Sequence, residues 1–502
     1  MKPIPRRSFL KGSMAAGAAL GVPGLLRGAA GQGGSPNDAV NVAVIGMGST
    51  TAVGGVGARG HQLIGRLREL KGVKIVGLCD ADQAHLDREL EAAKKAGEAP
   101  KAYRDPRAVY DDKGVDAVVV ALPNHWHALA TIWACAAGKD VYCEKPFSYD
   151  LWEGQQMVAA ARKYDRLVQV GTQNRSSKFL KRTFERLHGG ELGAIRFAHA
   201  LVYRARDGIG TVETPTTPPA TLDYDLWCGP APKGPLDRKQ LHYEWHWFWD
   251  TGNGEMGNNG IHVIDICRFA LGHESAPPRA VSIGGRFAFD DCGETANTHL
   301  ALLDYPKAPI LCEVRNVAAG KAKGAIGNYR GRDKGVLIDC EGGYFAGDAT
   351  GGAFYDRQGK QMVDLGKGDT PADLERWHLS AFLDAVRSRK ASDLAAEAIE
   401  GHRSTAGCHL ANVSHRVGHG TAPDAIRAAV SGNAELADAF DRCRTYLAEN
   451  GVDLAATPAT LGPWVNFDEK AGRFTGDSAD SANRFLRREY RAPYVVPDLT
   501  GA

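Results

Sequence analysis

The sequence predicts an α/β chain in two parts: a doubly wound parallel sheet, then an α+β domain with a large, mostly antiparallel open sheet. Three observations carry this reading. From Ala39 to about Asn174, short β-branched runs alternate with amphipathic segments. Polar and charged groups gather where those runs end, the place where parallel sheets bind ligands. After Asn174 the alternation gives way to strands separated by turn residues.

A chain of 502 residues exceeds one ordinary domain. With 43% hydrophobic and 24% charged residues it reads as a soluble globular protein, and its net charge of +2 excludes bulk attraction to nucleic acid or anionic membrane. Ten cysteines without a C-x-x-C pair signal neither a zinc ribbon nor a disulfide framework, and no metal site is expected. Arg6-Arg7-Ser8-Phe9-Leu10-Lys11, the apolar run Gly12 to Leu26 and the small residues Ala29-Ala30 form a twin-arginine export signal. The run is shorter than the ~20 residues a spanning helix needs, and Pro23 interrupts it. Residues 1–35 are therefore read as targeting sequence, with export to the periplasm and no membrane span in the mature chain.

The strand Ala39 to Ile45 leads directly into Gly46-Met-Gly48. A second glycine set, Gly55-x-Gly57-x-x-Gly60, precedes a helix with Leu63, Ile64, Leu67 and Leu70 on one face. Only the first pair follows a strand, so it is assigned to the pyrophosphate turn, with residues 49–56 as an insertion and Gly60 packing the helix. The strand Val73 to Cys79 ends at Asp80, further from Gly48 than the usual ~20 residues. A carboxylate there grips the adenosine ribose and repels a 2′-phosphate, which favours NAD over NADP. Asp82 is an alternative, and either aspartate could instead cap the next helix. The strand Asp116 to Leu122 precedes the turn Pro123-Asn124-His125-Trp126-His127 and a helix from His127 to Ala137. The strand Asp140 to Cys143 delivers Glu144-Lys145-Pro146. A helix from Leu151 to Tyr164 and the strand Leu167 to Val170 lead to Gly171-Thr172-Gln173-Asn174.

In the second half, a helix from Lys178 to Leu187 precedes the strand Ala194 to Tyr203. Tyr243-Glu-Trp245-His246-Trp247-Phe248-Trp249 reads either as a strand packing one face into a core or as flat platforms for a sugar ring. Gly257-Asn258-Asn259-Gly260-Ile261-His262 opens an apolar helix, on which Asp265 is placed to orient the His262 ring. Strands at Ala280 to Phe289, Thr298 to Leu303, Ile310 to Val314 and Gly335 to Cys340 make the open sheet. Helices follow near Pro371–Ser388 and Ser392–Gly418. The domains expected are 38–174, 175–420 and a C-terminal extension over 421–502.

Val-Ile-Gly46-Met-Gly48, Leu122-Pro123-Asn124-His-Trp-His127, Glu144-Lys145-Pro146, Gly171-Thr-Gln173 and Gly260-Ile261-His262 together resemble the Gfo/Idh/MocA oxidoreductases over residues 38–420. The resemblance implies a Rossmann domain and an open-sheet domain that forms the subunit interface of a homo-oligomer. It also implies a sugar or cyclitol substrate and a nicotinamide cofactor. On matching positions, Lys145 would bond the reacting hydroxyl and Glu144 the nicotinamide-side ribose. His262 would be the general acid/base, and Asn124, His127 and Gln173 would belong to the cofactor site. Inositol-dehydrogenase-like members carry an aspartate four residues before the histidine; here it is Asn258, which can bond a hydroxyl but cannot take its proton.

The leading expectation is an exported sugar or polyol oxidoreductase that carries tightly bound NAD with it. Two alternatives stand beside it. One is a glycoside hydrolase that works through transient oxidation and elimination. The other, motivated by Asn258, is a non-catalytic sugar-binding protein.

Overall fold

The computed structural model describes residues 39–49, 57–318 and 326–501. The export signal and residues 50–56 of the expected insertion lie outside these. The first sheet contains β1 (Val40–Ile45), β2 (Val73–Cys79), β3 (Lys101–Tyr103), β4 (Ala117–Val120), β5 (Asp140–Cys143) and β6 (Val168–Val170). They lie in the order β3-β2-β1-β4-β5-β6, every pair parallel. The connecting helices are α1 (Arg59–Arg68), α2 (Gln83–Lys95), α3 (Pro106–Asp111), α4 (Asn124–Ala136) and α5 (Leu151–Lys163). The chain reverses direction across the sheet between β1 and β4, where a crevice opens beyond the strand ends. β4 and β5 are buried on both faces, which is why they read as continuous apolar runs.

One boundary differs in a way that matters for the site. The expected turn at residues 123–127 is the first turn of α4, which starts at Asn124 directly after Pro123. Proline fixes its own φ and lacks an N–H, so it suits a helix start.

The second sheet has twelve strands: β7 (Ile195–Tyr203), β8 (Arg279–Gly285), β9 (Thr298–Leu303), β10 (Ile310–Arg315), β11 (Lys334–Cys340), β12 (Gly343–Asp348), β13 (Gly351–Tyr355), β14 (Gln361–Lys367), β15 (His419–Thr421), β16 (Ala459–Leu461), β17 (Val465–Asp468) and β18 (Arg473–Thr475). β7 and β10 pair in parallel and the other pairs are antiparallel. The period of two along β9 divides its side chains between two cores. Ala301 and Leu303 join Phe184, Ile264 and Leu410 on one face. Leu300 and Leu302 join Phe440 and Leu447 of the helix Ala434–Glu449 on the other.

The domain boundaries read from the sequence cut across this packing. The tail after 421 supplies β16 and β17, which pair with β8, and the helix that covers the outer face. Leu379, Phe382 and Leu383 of the helix Pro371–Ser388 pack with Val42 and Tyr142 of the first sheet and Leu63 of α1. Tyr494 and Val496 close the core around Val118 and Cys143. The region 243–249 is not a strand: a short helix, Leu241–Glu244, runs into a tight turn over Trp245–Trp247.

Candidate active site

The carboxyl ends of β1, β2, β4 and β5 open onto one cavity of about 430 Å3, within the roughly 300–1,000 Å3 usual for small-molecule sites. Gly46, Gly48 and Asp80 line one part of it, and Lys145, Asn258 and His246 another. Gly46 (φ +89°) and Gly48 (φ +73°) hold left-handed conformations just after β1. A Cβ on Gly48 would stand 2.0 Å from the Gly57 carbonyl oxygen, and one on Gly60 would stand 1.8 Å from that of Gly46. The turn and the start of α1 are therefore pressed together in a way only glycine permits. Asp80 ties the neighbouring strand ends: Oδ2 accepts from the Met47 N–H (2.7 Å) and Oδ1 from the Asp82 N–H (2.9 Å). Asp82 caps α2, accepting from the Ala84 N–H. A turn with glycines at 46 and 48 at a helix start, with a carboxylate at the next strand end, fits the pyrophosphate and adenosine ribose of NAD.

Glu144 is buried and its carboxylate is held on two sides. Arg59 Nε donates to Oε1 at 2.8 Å, and the Lys145 N–H donates to Oε2 at 3.2 Å. A Cβ on Gly171 would meet Glu144 Oε1 at 2.8 Å, so that glycine makes room for the carboxylate. Arg59 also pairs with Glu375 through Nη1 at 2.5 Å. Burial opposes the Arg59 charge, but Glu144 and Glu375 hold its pKa above the ordinary value.

Lys145 is shifted toward neutral pH by these surroundings. Burial pushes its amine down to about 8; Glu144 opposes that shift and the Arg59 cation adds to it. Its Nζ donates to two uncharged oxygens of Asn258, the backbone carbonyl at 2.8 Å and Oδ1 at 3.2 Å. Asn258 sits in a wide π-helical turn, Met256–Gly260, that precedes the helix Ile261–Leu271. Such turns recur at functional sites, because they break the regular ladder of carbonyl partners.

His262 lies within electrostatic reach of Lys145, and its Nδ1 is buried without a hydrogen-bond partner. Burial first, then the Lys145 charge, pushes its pKa well below the usual histidine range. Asp265 does not orient this ring. Its Oδ1 instead accepts from Arg175 Nε (2.8 Å) and Ser404 Oγ (2.6 Å), because an ion-pairing arginine on the neighbouring turn outcompetes a neutral imidazole.

Asn124 lines the cavity and donates to Asn253 Oδ1 at 2.8 Å. His127 stands behind it: its ring nitrogens engage the Pro146 carbonyl at 2.7 Å and the Leu122 carbonyl at 2.8 Å, bracing the two turns rather than lining the cavity. Gln173 begins a 3-10 turn outside the lining, and its Oε1 is buried and unpartnered.

Two residues absent from the sequence-derived site are prominent here. Arg59 was visible only as a filler between glycines, and its partner Glu375 lies far along the chain. His246 lines the cavity with its ring stacked on Trp245, centroids 3.6 Å apart. Its Nδ1 meets the Tyr243 carbonyl at 2.6 Å. A carbonyl only accepts, so Nδ1 carries the proton and Nε2 keeps its lone pair. Burial holds this ring neutral, with a pKa lowered to about 3. The aromatic cluster thus divides: Trp247 is buried away from the cavity, while Tyr243 and Trp245 both reach its wall. Arg206 stacks on Trp247 and forms a bidentate pair with Glu255, at 2.8 and 3.1 Å.

Comparison with known proteins agrees with this layout. A family model described as an oxidoreductase family with an NAD-binding Rossmann fold (GFO_IDH_MocA) matches residues 40–172. Its C-terminal α/β domain model matches residues 205–301, and a twin-arginine signal model matches residues 3–23. Inositol 2-dehydrogenase 1 of Saccharopolyspora erythraea is 37% identical over 159 residues, 31% of this chain and 46% of that protein. A glycosyl hydrolase family 109 protein of Shewanella baltica is 30% identical over 174 residues, 32% of this chain and 38% of that protein. The chain thus spans about half the length, or less, of the curated relatives it matches. Among solved structures, an Agrobacterium radiobacter oxidoreductase in complex with NAD+, L-tartaric acid and magnesium superposes with a TM-score of 0.53 at 17% identity, covering 74% of this chain and 96% of that one.

Proposed function

We propose that this chain, whose residues 40–172 and 205–301 match the two domain models of the Gfo/Idh/MocA oxidoreductases, is a nicotinamide-dependent oxidoreductase acting on a ring hydroxyl of a sugar, cyclitol or glycoside. The turn at Gly46, Gly48 and Gly60 would hold the pyrophosphate, Asp80 the adenosine ribose and Glu144 the nicotinamide-side ribose. The Asp80 charge repels a 2′-phosphate and so favours NAD over NADP. Bound there, NAD supplies a two-electron acceptor for hydride.

The observation that carries the reading is the Lys145 amine, half-buried on the cleft wall, bonded to neutral oxygens and poised at about 8. Oxidising a carbinol leaves a proton to remove, and a base works best with a pKa near the working pH. Neutral Lys145 would accept that proton from the substrate hydroxyl. His262, its pKa held well below the usual range by burial and by the Lys145 charge, would stay neutral beside it and leave the proton on Lys145. Replacing Lys145 with Met tests this: turnover should fall by at least about 100-fold while the dinucleotide stays bound. Unchanged turnover would remove Lys145 from the chemistry.

A second reading is favoured by the likeness to a glycosyl hydrolase family 109 protein. Oxidising a ring hydroxyl acidifies the neighbouring C–H, and a second base there would allow the aglycone to be eliminated before water adds. Aglycone release without accumulation of NADH distinguishes this cycle from net oxidation.

Export by the twin-arginine route, which passes folded proteins, would deliver the enzyme to the periplasm with its cofactor already loaded. Sustained turnover there requires either a second substrate that reoxidises the cofactor in place or an electron-accepting partner.

A further inference from the structure

Outside the residues assigned to chemistry, one cluster in the cleft stands unexplained. Asp82, His85 and His242 bring one carboxylate oxygen and two imidazole nitrogens within 4.8 Å of one another. Asp82 and His85 come from the start of α2, whereas His242 comes from the short helix Leu241–Glu244 of the other domain. Asp82 Oδ2 is 2.9 Å from His242 Nε2 and 4.0 Å from His85 Nε2, and the two imidazole centroids are 4.3 Å apart. Both histidines line the cavity alongside Asp80.

We propose that Asp82, His85 and His242 form a three-ligand site for a divalent transition-metal ion of the zinc class. Zinc binds imidazole nitrogen and carboxylate oxygen at about 2.0–2.2 Å, which places tetrahedral ligand atoms about 3.4 Å apart. The observed separations bracket that value, so modest rotation of two rings closes the site. Asp82 caps α2 through Oδ1, which leaves Oδ2 directed at the two rings. Two imidazoles and one carboxylate form a borderline donor set that suits zinc and its neighbours over magnesium or calcium.

The position gives the ion a role. The site joins the end of β2 to the 241–244 segment, and its two histidines share the cavity wall with Asp80. Resting on the assignment of Asp80 to the adenosine ribose, the ion acts as a clasp that closes that end of the cleft and slows loss of the dinucleotide. For an exported enzyme without a free nicotinamide pool, such a clasp retains the cofactor.

The test uses the purified mature protein, stripped with chelator and titrated with Co2+ and Zn2+. Cobalt should give a tetrahedral ligand-field spectrum that saturates at a single equivalent and is displaced by zinc. His242→Gln retains an amide donor toward Asp82 but is a poor ligand, and Asp82→Asn retains the helix cap. Each should weaken zinc by more than the roughly 10–100-fold that loss of an outer-shell partner costs. Folding of each variant is checked by circular dichroism. Absence of the cobalt spectrum in folded wild type, or equal affinity in wild type and variants, would overturn the site. Release of bound dinucleotide is measured with and without zinc, and an unchanged rate would overturn the clasp while the metal site stands. Nucleotide content, measured separately, bears on the oxidoreductase reading alone, so the two can fail independently.

Discussion

Lys145 Nζ donates to the backbone carbonyl of Asn258 at 2.8 Å and to its side-chain oxygen at 3.2 Å, two uncharged acceptors from across the cleft. The nearest carboxylate in sequence, Glu144, is held by Arg59. The amine is thus oriented without being neutralised, which keeps its pKa near 8 after burial has lowered it. Asn258, which cannot take a proton as an aspartate would, holds the lysine amine through these two contacts.

Asn258→Asp should therefore change the pH profile rather than simply abolish activity. A carboxylate beside Lys145 favours the ammonium and raises its pKa by about 1–3 units. Substrate oxidation needs the free amine, so its rate rises with pH through the Lys145 pKa, and that rise should move upward by the same amount. The check is the pH dependence of kcat/KM for reduction of bound nicotinamide. An unmoved midpoint contradicts the account.

Arg59→Met should act on both stability and pH dependence. It leaves Glu144 buried and uncompensated, a loss of about 3–5 kcal/mol, read as a lower denaturant midpoint. It also frees Glu144 to act on Lys145 alone, so the rise in activity with pH should again move upward. A stability loss with an unchanged pH profile would separate Arg59 from the lysine.

Gly60→Ala tests the cofactor turn. Its methyl would stand 1.8 Å from the Gly46 carbonyl oxygen, so the turn must shift. Overpacking of this kind costs about 1–3 kcal/mol, and bound dinucleotide should be lost. Gly65→Ala in the same helix meets nothing within 4 Å and serves as the control. It should stabilise by up to about 1 kcal/mol and retain the nucleotide. Equal nucleotide content in the two variants would contradict the assignment.

Much of the first sheet was legible in the sequence because its strands form apolar, β-branched runs, of which β4 and β5 are buried on both faces. β2 and β5 fall where their apolar runs place them, and Glu144-Lys145 stands at the strand end as read. β3 and the tail strands β16 and β18 span three residues each, too short for a periodic signal. The Trp245–Trp247 region misled because alternating aromatics mimic a strand, while a tight helical turn also separates their rings. Arg59–Glu375 and Asp82–His242 join residues far apart in sequence, so no local pattern announces them. His262 was named from a motif, and Asp265, expected to orient it, is instead held by Arg175 and Ser404, which reach that carboxylate from elsewhere in the chain.

The central claim is that this cleft holds a nicotinamide dinucleotide and oxidises a sugar-like hydroxyl beside Lys145. The most direct measurement offers a panel of sugars, cyclitols and glycosides to purified mature protein while following the absorbance of its bound nicotinamide, with nucleotide content fixed by mass spectrometry. The account predicts stoichiometric dinucleotide, reduced on mixing with at least one ring substrate in wild type and left oxidised in Lys145→Met. Protein that is nucleotide-free and unable to bind NAD, or a Lys145→Met variant that reduces it as fast as wild type, would contradict it.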